Sequence, residues 1–356
     1  MKKAINPVLA VGCGLLAVVL VYSGDTFAQG IRQGIQLCLQ TVIPSLFCFM
    51  ILTGFLMQSG LYRLLSLPLG PFCKTLLYLP SEMGSVVLLS LIGGYPMGAQ
   101  SIASLLRQNR LARDDAQRML LFCCCAAPSF VVTAVGSGMF ASQQIGLLFY
   151  GVQVGVSLLL GMLLGIGARL HRKTPALSTS LPCLSTPFAG LGEAFVGAVS
   201  SSVTTMAQMC GFILLFSALQ AAVQSMAGDS SLGCLLLGLG EVTNGCRLAA
   251  GMPHGVLYAS LFLSFGGFSV IAQIAGILRD SGLRLLPFVA ARALHGILSA
   301  SVTFLVLPHL PGDIAVFANG AQPVPMGDAN TPVLSICLMM MSALLLMQLP
   351  RFQRKR

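Results

Sequence analysis

Gly240-Glu241-Val242-Thr243-Asn244-Gly245 puts a carboxylate, a hydroxyl and a carboxamide within four residues, soon after the apolar run Leu235-Leu236-Leu237. Such a set can coordinate a cation or hydrogen-bond a polar solute. An ionisable residue at membrane depth costs at least about 2.5–3.5 kcal/mol on insertion scales, so it faces protein or water rather than lipid. The flanking glycines let the chain unwind, so that carbonyls join Glu241, Thr243 and Asn244 in the site. The competing reading pairs Glu241 with Arg247, six residues on, or leaves it at the interface.

A second interruption, Gly93-Gly94-Tyr95-Pro96-Met97-Gly98, also sits inside an apolar stretch. Pro96 has no N–H to donate, and each glycine costs about 1 kcal/mol relative to alanine in a helix interior. In lipid, freed backbone groups are tolerated only where the break is buried in protein or lines a wet cavity. Gly93, Gly94, Tyr95, Pro96 and Gly98 are therefore expected at a solute site. Downstream, Gly267 and Ser269 follow a similar pattern in Gly266-Gly267-Phe268-Ser269, and Gln100 and Gln273 come at matching places after the two breaks. Each glutamine either faces a shared cavity or bonds a neighbouring helix. Ser129, after Pro128, either offers a hydroxyl near Gly94 or marks a simple kink. Arg292 and His295 share a helix face and could relay protons or bind an anion. An arginine snorkelling to the interface accounts for the pair more simply.

No catalytic set emerges, and the chain reads as something other than an enzyme. His171, His254, His295 and His309 have no metal-protease spacing. The twelve cysteines contain no C-x-x-C pair, and Cys123-Cys124-Cys125 would point three ways around one helix. They read as small packing residues, with no metal and no cofactor expected.

The elements that must hold these residues are membrane helices. Hydrophobic residues make up 56% of the 356, charged residues 8%, and mean hydropathy is +0.87; a soluble domain carries about a quarter charged. Spans of the required length are expected near 5–22, 41–58, 119–140, 144–168, 196–224, 286–307 and 333–349, with broken regions at 76–106 and 232–278. The fold class is thus all-α: a polytopic integral membrane protein in the bilayer, with about 7–9 transmembrane helices and two broken or re-entrant segments. The net charge of +10 lies in short segments beside the spans, at Lys2, Lys3, Arg107, Arg110, Arg113, Arg118, Arg169, Arg172, Lys173 and the tail from Arg351. That is the cytoplasmic-loop bias, and it argues against nucleic acid. Both termini are expected in the cytoplasm.

The chain also resembles itself. Gly93-Gly94-Tyr95 can be laid over Gly266-Gly267-Phe268, and Gly34 to Leu52 over Gly197 to Leu215. Duplicated halves with broken segments point to a transporter core with its site at the repeat interface. The expected units are a first helix, 1–28; repeat 1, 29–143; a linking helix and loop, 144–187; repeat 2, 188–307; and a loop, last helix and basic tail, 308–356. The charges at Arg107 and Arg279 agree only if one broken segment re-enters and the other crosses.

Residues 30–305 resemble the YlbJ-type sporulation integral membrane proteins, which carry a nucleoside-recognition (Gate) domain. The resemblance rests on Pro44-Ser45-Leu46, Gly94-Tyr95-Pro96-Met97-Gly98-Ala99, Ala127-Pro128-Ser129-Phe130, Glu241-Val242-Thr243-Asn244-Gly245 and Gly266-Gly267-Phe268-Ser269-Val270, with Ala272-Gln273. It implies a multi-pass protein of the bacterial cell membrane acting in spore-cortex formation. Gate domains also occur in nucleoside and iron transporters, which implies solute handling; the expected partner is a small polar solute, nucleoside-like, with Glu241, Thr243 and Asn244 binding a coupling cation or the solute itself. The family often has Lys where Gln100 stands here, and Pro-Leu-Phe where Pro128-Ser129-Phe130 stands. The alternative is a non-transporting assembly component of sporulation, as a homo-oligomer or with other sporulation membrane proteins.

Overall fold

A computed structural model describes residues 23–62, 69–171, 190–227 and 231–309. The expected spans 5–22 and 333–349 lie outside them, as do all but the first residues of the expected loops 169–187 and 308–332. The first described helix, α1, runs Gly24–Gln58 and widens into a π turn over Cys38–Val42. That turn immediately precedes Ile43-Pro44, where a regular helix would meet a missing N–H and a crowded ring.

Next come α2 (Met83–Gly93), α3 (Tyr95–Arg107), α4 (Arg113–Phe122), α5 (Ser129–Met139) and α6 (Gln143–His171). The second half holds α7 (Leu191–Ala227), α8 (Ser231–Gly240), α9 (Val242–Ala249), α10 (Gly255–Phe265), α11 (Gly267–Leu278) and α12 (Leu285–Val306). Five stretches among the described residues are long and apolar enough to cross a bilayer: Gly24–Gln58, Gln143–Leu170, Leu191–Ala222, Gly255–Leu278 and Leu285–His309. The protein is an all-helical, polytopic membrane protein.

The described residues hold four breaks: Gly94 in the expected region 76–106, Gly240-Glu241 and Gly266 in the expected region 232–278, and 123–127 just before Pro128-Ser129. The last of these falls in the span expected over 119–140, and Cys123, Cys124 and Cys125 lie buried at this break rather than around a helix.

The breaks are of two kinds. A Cβ added to Gly98 would lie 3.3 Å from the Ser90 Cβ, although eight residues of straight helix span about 12 Å. So α2 and α3 fold back as a hairpin. A Cβ on Gly245 would lie 2.3 Å from the Gly238 Cα, and α8 and α9 form a second hairpin. By contrast α10 and α11 run on as one broken span, and α4 and α5 run on along α6, with Phe122 beside Ser157, Ala126 beside Gln153 and Gly136 beside Gly146.

That difference resolves the charge pattern: the segment at Gly94 re-enters and the one at Gly266 crosses. The loops after α3 and α11 accordingly share one end of the molecule. Arg113 there donates to the Gly282 carbonyl, Gln117 Nε2 donates to Arg284 O at 3.1 Å, and Arg284 N donates to Gln117 Oε1 at 2.7 Å. Arg118 Nη2 donates to Tyr78 O and to Asp115 Oδ1, both at 2.7 Å. The start of the first hairpin therefore lies at the same basic end.

Each half repeats one order: long helix, hairpin, broken crossing helix, long helix. The first hairpin enters from the basic end and the second from the opposite end, so the halves are inverted. Packing follows the relation: α1 lies on α7, α3 on α11 as α9 on α5, and α4 on α12 as α10 on α6. The fold's register therefore pairs the break at Gly94 with Glu241, not with Gly266-Gly267 as the sequence overlay has it. The helix read as a linker, α6, holds the place in the first half that α12 holds in the second.

Candidate functional site

Hairpin tips and crossing breaks meet in one cavity. Its wall includes Gly93, Gly94, Tyr95 and Pro96 from the first tip, Ala127 and Phe130 from the first crossing break, and Glu241, Val242 and Thr243 from the second tip. Ser269, Val270 and Gln273 on α11 complete its polar side, and Val42, Leu46, Met50, Met209 and Ile213 on α1 and α7 its apolar side. Gly94 turns the first tip at φ 87°, a backbone state open to glycine at no steric cost. The cavity volume is about 40 Å3, against the roughly 10–15 Å3 that one water needs.

Every half-helix that follows a break starts at this cavity. The N-termini of α3, α5 and α11 have no side-chain cap. Glu241 caps α9: its Oε1 accepts from Thr243 N at 2.9 Å and its Oε2 from Asn244 N at 2.7 Å. The carboxylate is 3% exposed and lies where a helix N-terminus favours negative charge. No ion pair joins it to Arg247 among the described residues; Arg247 Nη2 reaches Asn244 Oδ1 at 3.5 Å. Ser269 is 2% exposed, and its hydroxyl bonds nothing among the described residues.

The remaining expected site residues fall one layer back. Asn244 Nδ2 donates to Ser217 Oγ on α7 at 2.8 Å, and Gln100 Nε2 donates to Thr205 Oγ1 on the same helix at 3.0 Å. Of the glutamine pair, then, only Gln273 lines the cavity. Ser129 Oγ is buried without a partner beside the wall residue Phe130. Gly98 packs so that an added Cβ would come 2.5 Å from Cys123 O, and Gly267 so that one would come 3.3 Å from the Glu241 Cα. These glycines let hairpin and crossing helix touch.

Arg292 does not snorkel. It is 0% exposed and sits behind the cavity. Its Nε donates to Phe265 O at 3.2 Å, its Nη2 to Ser264 O, and its Nη1 to Cys124 O and, at 2.9 Å, to His295 Nδ1. The guanidinium thus ties the C-terminal ends of α4 and α10 together, where helix dipoles favour a cation. It also lies 5.7 Å from the centroid of the Tyr95 ring, whose hydroxyl donates to Leu263 O.

"Sporulation integral membrane protein YlbJ" of Bacillus subtilis (strain 168) is 29% identical to this chain over 82% of its length and 80% of the relative's. This chain is similar to that YlbJ protein over most of its length. No family model matches it, and no solved structure does. In this YlbJ-like chain the motifs at Pro44, Gly94, Ala127 and Glu241, and Ser269 of the fifth, fall at or beside this cavity, from segments spread across the sequence. The Gly-Tyr-Pro motif supplies a hairpin tip, the Ala-Pro-Ser-Phe motif a crossing break, and Glu241 the cap of the opposite tip.

Proposed function

We propose that this YlbJ-like protein acts in spore formation as a carrier, binding and moving a small polar solute through the cavity between the two hairpin tips. The observation that carries this reading is the meeting of uncapped N-termini of α3, α5 and α11 with the unpartnered Ser269 hydroxyl in one buried space. Free backbone N–H groups at helix starts favour a negatively charged group. Arg292, behind Tyr95, adds positive charge. Glu241 stands on the opposite wall as a place for an accompanying cation. A nucleoside-like solute, suggested by resemblance alone, would have to part the hairpin tips to enter.

Thermal stabilisation of purified protein by carboxylates, phosphate esters, nucleosides and alkali cations tests the reading. A bound solute at about 100 times its Kd adds about 2.7 kcal/mol. We expect stabilisation of the wild type, its loss in Ser269→Leu, and loss of any cation dependence in Glu241→Gln. No stabilisation by any compound, with normal sporulation of both variants, would favour the assembly role.

The basic end, with Lys74, Arg107, Arg110, Arg279 and Arg284, is read as cytoplasmic under the positive-inside bias, and with it both termini. A cysteine placed at His254 should react with an impermeant maleimide in intact cells, and one at Arg279 only after permeabilisation. The reverse order would overturn this orientation.

A further inference from the structure

Away from the cavity, a row of polar side chains is sealed between α6, α10 and α12. On α12, Arg292, His295, Ser299 and Thr303 share one face, and each is 0% exposed. Ser260 Oγ and Thr303 Oγ1 bond each other at 2.7 Å between α10 and α12. Gln153 on α6 donates through Nε2 to Ala126 O at 3.1 Å, and its carbonyl oxygen lies 2.9 Å from His295 Nε2. Since Arg292 donates to Nδ1, the Nε2 of His295 carries the proton and donates to Gln153 O.

Three oxygens in this row have no partner and are buried: Gln153 Oε1, Ser264 Oγ and Ser299 Oγ. Their placement is related. α10 and α12 run antiparallel, so one turn from the bonded Ser260–Thr303 pair brings Ser264 opposite Ser299. His295, one turn before Ser299, holds the backbone of Gln153. Buried polar groups in folded proteins are paired with protein or with ordered water. A buried water typically makes two to four hydrogen bonds to groups otherwise left unsatisfied.

We propose that Gln153 Oε1, Ser264 Oγ and Ser299 Oγ form an internal water site, separate from the solute cavity, that joins α6, α10 and α12 beside His295. The water donates to two of these oxygens and accepts from a serine hydroxyl. It extends the polar row from the Arg292 clamp to Thr303. The site rests on these helices alone and does not depend on the solute reading.

X-ray radiolysis of the protein in nanodiscs generates hydroxyl radicals from bound water and labels the side chains beside it. His295, although 0% exposed, should be labelled as readily as the exposed His254. The label should be lost in Ser264→Ala/Ser299→Ala, with Tm falling by about 2–4 °C. An unlabelled His295 in the wild type would overturn the proposal, whatever the variant does. A rise in Tm of the double variant would do so too, because deleting orphaned hydroxyls from a dry site relieves their burial cost.

Discussion

Arg292→Met should leave little folded protein. The arginine carries no carboxylate partner among the described residues; backbone carbonyls of Cys124, Ser264 and Phe265 and the ring of His295 receive its donors. Methionine fills similar volume but strands those acceptors at two unwound helix ends in a site that excludes water. Each buried acceptor left without its donor costs about 1–3 kcal/mol, and losing several together removes a large share of the 5–15 kcal/mol by which proteins are stable. Arg292→Lys should recover part of the loss, since one ammonium keeps the charge but cannot spread donors over both helix ends as a planar guanidinium does. Fluorescence-detected gel filtration with a temperature series would rank wild type above Lys above Met. Equal Tm values for wild type and Arg292→Met would mean that the helix ends are held some other way. His295→Leu should cost less, because Arg292 retains its carbonyl partners.

Membrane residence, all-helical structure and the helix interruptions at Gly94 and Glu241 were legible in the residues. Each is a local property: apolar length, missing N–H groups, a carboxylate among glycines. Whether an interruption folds back or continues was not legible, because that depends on what packs against the half-helices. Gly98 and Gly245 show the difference only once Ser90 and Gly238 are seen beside them. The repeat register went astray for a related reason. Paired glycines at Gly93 and Gly266 look alike in sequence, yet one turns a hairpin and the other interrupts a crossing helix. Element order pairs Gly94 with Glu241, two tips with almost no residues in common. Arg292 was misjudged because snorkelling is the usual fate of an arginine within a few residues of a span's start. A clue was its distance from Leu285, seven residues on, or about 10 Å of helix rise, which is deep for an interfacial residue. The role of Gln100 turned on a threonine in a distant helix, Thr205, which no local pattern specifies.

The hairpins also define where a single methyl group should do most harm. At Gly245 an added Cβ would lie 2.3 Å from the Gly238 Cα and 3.0 Å from the Phe262 ring. The nearest obstacle is backbone, so rotamer changes cannot relieve it, and α9 must move away from α8. Overpacking costs about 1–3 kcal/mol where side chains can yield, and Gly245→Ala should reach or exceed the upper figure. Any protein that folds should carry a displaced tip, because Glu241 and Thr243 precede Gly245 on the same short helix. Solute-dependent stabilisation should then vanish even in the folded fraction. Gly276→Ala is the control: nothing lies within 4 Å of its added Cβ, and alanine is the better helix former by about 1 kcal/mol. Its Tm should match or exceed that of the wild type. If Gly245→Ala behaves like Gly276→Ala, the second hairpin is not pinched at Gly238, and the close meeting of the two tips around the cavity fails with it.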